Sequence, residues 1–299
     1  MVGVFAVLAP DVFFTPSNLI RITEQSSLTI LVATGEFFAI LLAGIDLSVG
    51  SVMALTGVTT AMLMVNGVPP ILAVLLGSVL LGAFLGAVNG TLISVTKLPP
   101  FIITLGTMSI YRGVTLSVTN ARAVSGLPVE FTRFVGGRVF GYVPMPIIIA
   151  LAVAGFLTWF SLKTKPGRNI YAIGGNAESA WFAGINVRLH TILVFTISGI
   201  CAGLAGMVNI ARLGAAEPNA GIGFEVFAIA AVIIGGTSFF GGQGVIPKVV
   251  VGGLIIGVIN NGLNMVGVSA FYQQIAMGCL IIAAVTLDRF FGTGGKAKR

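Results

Sequence analysis

The chain has 299 residues, 56% hydrophobic and 8% charged, with a mean hydropathy of +1.06 and a formal net charge of +7. A soluble domain carries about 25% charged residues, and the deficit here runs along the whole length, which excludes a conventional soluble core and specifies an all-α polytopic membrane protein. No long basic run and no basic patch interleaved with aromatics occurs, so nucleic acid is excluded as a partner and the positive charge fits cytoplasmic loops.

Met1 to Pro10 is apolar but about half the ~20 residues that a span needs. It lacks a positive leading region and a small-residue cleavage site, and so reads as the remainder of a first span rather than a signal peptide. Asp11 to Ser26 is amphipathic and is expected to lie at the membrane interface. Apolar runs follow at Leu28 to Ile45, Val52 to Val65, Leu72 to Val95, Phe101 to Val118 and Pro146 to Leu162. Between them, Asn66-Gly67-Val68-Pro69-Pro70 marks a turn, Lys97 and the Pro99-Pro100 pair a break, and Thr119 to Pro144 a polar loop with Arg122, Arg133, Arg138 and Glu130. Past the central loop come Thr191 to Ile210, Val226 to Gly235, Val249 to Val266 and Ile275 to Leu287, then a tail ending in Lys296, Lys298 and Arg299. The expectation is a single membrane domain, residues 1–299, of about ten transmembrane helices with the first incomplete.

The central loop, residues 163–190, carries Lys163, Lys165, Arg168 and Arg188 against the lone acid Glu178. Lys and Arg are retained on the cytoplasmic side during insertion, so this loop is placed there. Counting alternate spans then puts Lys97, Lys248, Arg289 and the tail on the same side. Arg21, Arg112, Arg122, Arg133, Arg138 and Arg212 fall outside, and the cations favour the inside. Within the loop, Asn176 can cap a helix, Glu178 suits the positive end of its dipole, and Gly184 can close it in the left-handed conformation. Ala177, Ala180 and Trp181 form one apolar face suited to a groove on a partner, because two turns of exposed helix are marginal alone.

AGIDLSVGSVMALTGV follows the second run and AGIGFEVFAIAAVIIGG follows the seventh. Both are Gly-rich turns containing an acid that lead into small-residue helices on opposite sides of the bilayer, as an inverted five-plus-five repeat requires. In GIDLSVG, residues 44–50, Asp46 and Ser48 can cap the next helix while Gly44 and Gly50 allow a break or close packing. Asp46 can alternatively contact a ligand. Glu36 lies well inside its span, where an ionisable group is costly and a functional candidate; the bland reading is a hydrogen-bonded carboxyl at a helix interface. GGTSFFGGQG, residues 235–244, lacks the Gly-Lys-Ser/Thr of a phosphate loop and reads as a turn with close helix packing. Asn260, Asn261 and Asn264 can hydrogen-bond neutral hydroxyls, and Phe271 or Tyr272 can stack on the apolar face of a ring, although bonding between helices is the commoner use of such amides.

No catalytic constellation is visible. His190 is the single histidine, no carboxylate or Cys set has metal-ligand spacing, and Cys201 and Cys279 sit in apolar stretches as core residues. The absence of a Walker A loop makes the chain a non-enzyme whose ATP hydrolysis, if any, belongs to another chain.

Glu178-Ser179-Ala180 followed by Gly184 resembles the EAA-x-x-x-G signature of permease subunits of ATP-binding-cassette importers. GRNIYAIGGNAESAWFAGINV, GIDLSVG and GGTSFFGGQG are similar to the sugar-importing ribose, xylose and allose branch, and the resemblance runs from about Phe13 to Leu287. It implies a coupling helix on Gly175, Asn176, Glu178, Ser179, Ala180, Trp181 and Gly184. It also implies an ATPase subunit holding ATP and Mg, a periplasmic sugar-binding protein, a second permease subunit as a homodimer, and a bacterial inner-membrane location with a cytoplasmic C-terminus. Glu36 departs from the uncharged residue that many relatives carry. A proton-driven carrier using Glu36 and Asp46 as a relay, an ATP-driven permease for branched-chain amino acids or nucleosides, and a non-transporting scaffold remain open alternatives.

Overall fold

The computed structural model describes residues 13–291. Met1 to Pro10 and the end of the tail, with Lys296, Lys298 and Arg299, lie outside them. The other nine expected segments are helical: α1 (Pro16–Leu41), α2 (Val49–Val65), α3 (Pro70–Thr96), α4 (Pro100–Thr119), α6 (Met145–Lys163), α9 (Val187–Leu213), α10 (Phe224–Ile234), α11 (Ile246–Met265) and α12 (Ala270–Phe291). Between them lie the short helices α5 (Val129–Val135), α7 (Lys165–Gly175) and α8 (Ala177–Phe182). Four two-residue strands complete the described residues: β1 (Val124–Ser125), β2 (Arg138–Val139), β3 (Val143–Pro144) and β4 (Ala215–Ala216). By length and composition α3, α4, α6, α9 and α11 are apolar enough to cross a bilayer, while α2, α10 and part of α12 are apolar but shorter.

Two helices form the centre. Every residue of α1 from Ser26 to Leu41 is buried, as expected for a helix that is apolar all round. The most apolar stretch of α9 is 67% buried, against 22% for that of α4. The rim helices α3, α4, α6 and α12 present Phe84, Ile110, Phe156 and Ile282 outward. α3 approaches α9 closely because a Cβ on Gly86 would strike the Phe195 carbonyl, and one on Gly199 the Gly82 carbonyl. Without a hydrophobic drive between helices in lipid, such backbone proximity supplies the packing.

Several boundaries differ from expectation. Of the segment Asp11 to Ser26, Asp11 and Val12 lie outside the described residues, and from Pro16 onward it is the first half of α1. The Thr15 hydroxyl caps that helix by accepting from the Asn18 amide, and Asn18 donates to the Phe13 carbonyl (2.9 Å), so polar residues that read as interfacial are satisfied internally. α1 ends at Leu41, not Ile45, with Ala43 left-handed at φ +55°. The loop before α6 holds α5 and a β2–β3 hairpin, and the central loop holds α7 as well as α8. Arg112 lies within α4, as the run Phe101 to Val118 implies, and removing it from the outside set leaves the charge bias intact.

The connections that span counting groups together do meet. At one end β1 pairs antiparallel with β4, Val124 opposite Ala216, and Arg138 pairs with Glu24 near the start of α1 at 3.2 Å. At the other end the Gly242 amide donates to the Leu41 carbonyl (2.9 Å), and the Tyr171 hydroxyl to that of Gly244 (3.0 Å). Glu24 and Leu41 lie about 26 Å apart along α1 at 1.5 Å per residue.

Candidate functional site

The break between α1 and α2 is the first site. After Leu41 the chain turns back, and the Asp46 amide donates to Glu36 Oε1 at 3.0 Å. Asp46 Oδ1 accepts from both the amide (3.0 Å) and the hydroxyl (2.6 Å) of Ser48, and its Oδ2 accepts from Ser198 on α9 (2.8 Å). The network continues outward: Asn89 Nδ2 on α3 donates to Ser48 Oγ (2.8 Å), and Tyr111 on α4 donates to Asn89 Oδ1 (3.2 Å). Thr104 donates to the Ile45 carbonyl at 3.1 Å. A seven-residue irregular loop is thus fixed by four helices.

The expected capping role is corrected here. Ser48 is the N-cap residue of α2 but makes no side-chain cap bond, since its hydroxyl is committed between Asp46 and Asn89. Asp46 orders the turn rather than the helix end.

Gly50 opens α2 against the turn preceding α10. A Cβ on Gly50 would strike the Gly221 carbonyl, a Cβ on Gly221 the Gly50 carbonyl, and the Glu225 carboxylate lies beside them. Arg112 clasps the crossing, donating to the carbonyls of Pro218 (2.6 Å), Ala220 (2.8 Å) and Gly50 (3.4 Å). The N-termini of α2 and α10 therefore meet in the interior. Their two positive dipole ends, with Arg112, offset the carboxylates of Asp46 and Glu225 gathered there. Glu36 and Asp46 are both buried, 0% and 1% exposed, and Glu36 Oε2 has no hydrogen-bond partner among the described residues.

The remaining substrate-path candidates lie elsewhere. Asn261 Nδ2 donates to Asn18 Oδ1 (3.0 Å), joining α11 to the first half of α1, and Asn264 Oδ1 at the end of α11 accepts from Gln273 (2.8 Å) in the first turn of α12. Asn260 is half-buried on α11. Phe271 and Tyr272 are exposed on the outer surface. The seven candidates thus fall into separate groups.

The second site is α8. Asn176 Oδ1 accepts from the Ser179 amide (2.8 Å), Glu178 lies exposed in the first turn, and Gly184 sits at φ +80° while the Ile185 amide returns to the Ala180 carbonyl (3.0 Å). Cap, acid and closing glycine all stand where the sequence puts them. The apolar face does not: Ala180 is buried inward, and the outward surface is Trp181 and Phe182, 63% and 74% exposed with ring centroids 5.0 Å apart. Gly175, Ala177 and Ser179 are exposed beside them.

α8 is carried by α7, whose Thr164 cap accepts from the Gly167 amide (3.2 Å) and whose Ile170 and Ile173 are buried. Burial pushes the Tyr171 phenol above its usual pKa, so it stays a donor to Gly244. Asn169 Nδ2 donates to His190 Nε2 (3.2 Å), which leaves Nδ1–H to donate to the Asn186 carbonyl (2.7 Å) and ties α7 to α9. Gly174 rests directly on the end of α1: a Cβ there would strike the Leu41 carbonyl and approach the Gly242 amide to 2.7 Å. The exposed aromatic pair and the interior break are joined through this one contact region.

Asn89, Tyr111 and Ser198 escaped the sequence reading, which placed Arg112 only by its charge and Glu225 only as the acid of a Gly-rich turn. Their signal was available, since each is polar within or beside an apolar run.

A family model described as branched-chain amino acid transport system, permease component, matches residues 18–285. The D-allose transport system permease protein AlsC of Escherichia coli K12 is 56% identical over 97% of this chain and 88% of its own length. The ribose import permease protein RbsC of Bacillus subtilis 168 is 43% identical over 97% and 89%. The galactose/methyl galactoside import permease protein MglC of E. coli K12 is 37% identical over 92% and 87%. No solved structure matches.

Proposed function

Because the chain belongs to the family of branched-chain amino acid transport system permease components, we propose that it carries a monosaccharide inward, driven by an ATPase docked on α8. It is the membrane permease subunit of an ATP-driven sugar importer and not an enzyme, and hydrolysis takes place on a separate chain that holds ATP and Mg. The relatives named for D-allose, ribose and galactose or methyl galactoside support a monosaccharide as cargo. The proton-driven and scaffold readings fall with the family.

The carrying observation is the stack of Gly174, Leu41 and Gly242 between α8 and the α1–α2 break. In this reading ATP binding moves Trp181 and Phe182, with Gly175, Asn176, Glu178, Ser179, Ala180 and Gly184 shaping the helix that carries them. Any such switch requires contacts that differ between outward- and inward-facing states. Residues 163–190 then form a cytoplasmic loop of a single 1–299 membrane domain with a cytoplasmic C-terminus. The matching order of long helix, Gly-rich acidic turn and short helix in α1–α2 and α9–α10 supports a ten-span, inverted five-plus-five architecture. At about 16 Å, the 11-residue α10 reaches only halfway through a ~30 Å hydrocarbon core. A homodimer completes the pore, and a periplasmic binding protein supplies it. Of the candidate path residues, Glu36 and Asp46 belong to the scaffold of the break, while Asn260, Asn261, Asn264, Phe271 and Tyr272 remain the side chains suited to hydroxyls or a sugar face.

Uptake of labelled monosaccharides into proteoliposomes containing the assembled importer tests this. Uptake should follow ATP supply and ignore an uncoupler. Dependence on a proton gradient would overturn it.

A further inference from the structure

We propose that the β2–β3 hairpin, residues 138–144, is a docking point for the periplasmic binding protein; this rests on the importer reading above. The hairpin is held rigidly: Arg138 pairs with Pro144 and Val139 with Val143. The Met145 amide donates to the Gly137 carbonyl (2.9 Å), and the Arg138 guanidinium grips Glu24 at 3.2 Å. Its tip places Phe140 at φ +51° and Gly141 at φ +77°. Such turns ordinarily take Asn, Asp or Gly, and a bulky residue in the left-handed region is an outlier. Phe140 is nevertheless there and 91% exposed, with Tyr142 73% exposed beside it. Among the described residues nothing covers the ring, and strain held in place by its surroundings, here the strand pairing and the Arg138–Glu24 contact, marks functional surfaces.

The occupant follows from position and charge. The hairpin stands at the Glu24 end of α1, opposite the Leu41 end that carries Trp181 and Phe182, so exposed aromatic pairs stand at both ends of the fold. An importer fed by a soluble protein needs a docking surface at the end away from its ATPase. Arg133 and the 69% exposed Phe134 lie just before the hairpin, and neither Arg133 nor Arg122 has an ion-pair partner among the described residues. Exposed aromatics with free arginines are the composition of interface hot spots, and they fit an acidic rim on the partner.

The importer is assembled in lipid nanodiscs and titrated with its periplasmic binding protein while ATP hydrolysis is followed. The Phe140→Ala/Tyr142→Ala variant should raise the half-saturating concentration roughly tenfold or more, with basal hydrolysis unchanged. Phe140→Gly, which suits the left-handed turn, should show a shift in the same direction without a folding liability. Unchanged half-saturation in both variants would overturn the proposal. So would quenching of Phe140→Trp fluorescence by brominated acyl chains, which would make the tip a membrane anchor. If the wild-type importer shows no stimulation at all, the importer reading fails first.

Discussion

Gly242 donates its backbone N–H to the carbonyl of Leu41 across 2.9 Å, tying the Gly-rich turn after α10 to the last residue of α1. Gly174 of α7 packs on the same pair, so a side chain there must push on both. Gly174→Val overpacks this region by about 1–3 kcal/mol. The ATPase should still co-purify while uptake falls, by about tenfold if the transport states shift by about 1.4 kcal/mol. Parallel measurement of complex recovery and uptake checks this; normal uptake would contradict it.

Arg112 clasps Pro218, Ala220 and Gly50. Arg112→Met leaves those carbonyls without the guanidinium, at about 1–3 kcal/mol for each buried group left unsatisfied. The apparent melting temperature of the purified protein should fall and uptake with it. Arg112→Lys should recover little, because an ammonium cannot span three carbonyls as a planar fork does.

Glu36 accepts one backbone N–H and is sealed from solvent. Glu36→Gln keeps that acceptor, so uptake should stay within about twofold of wild type, a change below about 0.5 kcal/mol. Loss of transport with intact folding would show that the carboxyl itself works in the cycle.

Gly184 at φ +80° closes α8, a value that proline, fixed near −65°, cannot adopt. Gly184→Pro should leave the protein inserted and monodisperse but abolish uptake, and Glu178→Lys should do the same by placing a cation at the helix N-terminus. Wild-type uptake by either variant would remove α8 from the coupling pathway.

What the sequence disclosed was local. Asn176, Glu178 and Gly184 act within one short helix, and each stands in its expected role. Ala180 and Trp181 were assigned to one docking face, yet which side of a six-residue helix turns inward depends on α7 beneath it. Glu36 and Asp46 were visible as isolated acids in apolar runs. Their partners were not, because Ser198 meets Asp46 across 152 positions and Tyr111 reaches the network only through Asn89. The similarity between the turns holding Gly50 and Gly221 was legible; that they touch was not. Asn18 misled because a polar residue satisfied by Phe13 and Asn261 reads, from sequence, as a wet one.

The most direct test is recovery of the ATPase subunit with this chain in detergent, for wild type and for Trp181→Ala/Phe182→Ala. The pair is exposed and rests outside the core, so the variant should fold normally. Wild type should bring down the ATPase and the double variant should lose it. Equal recovery from both would contradict docking through α8.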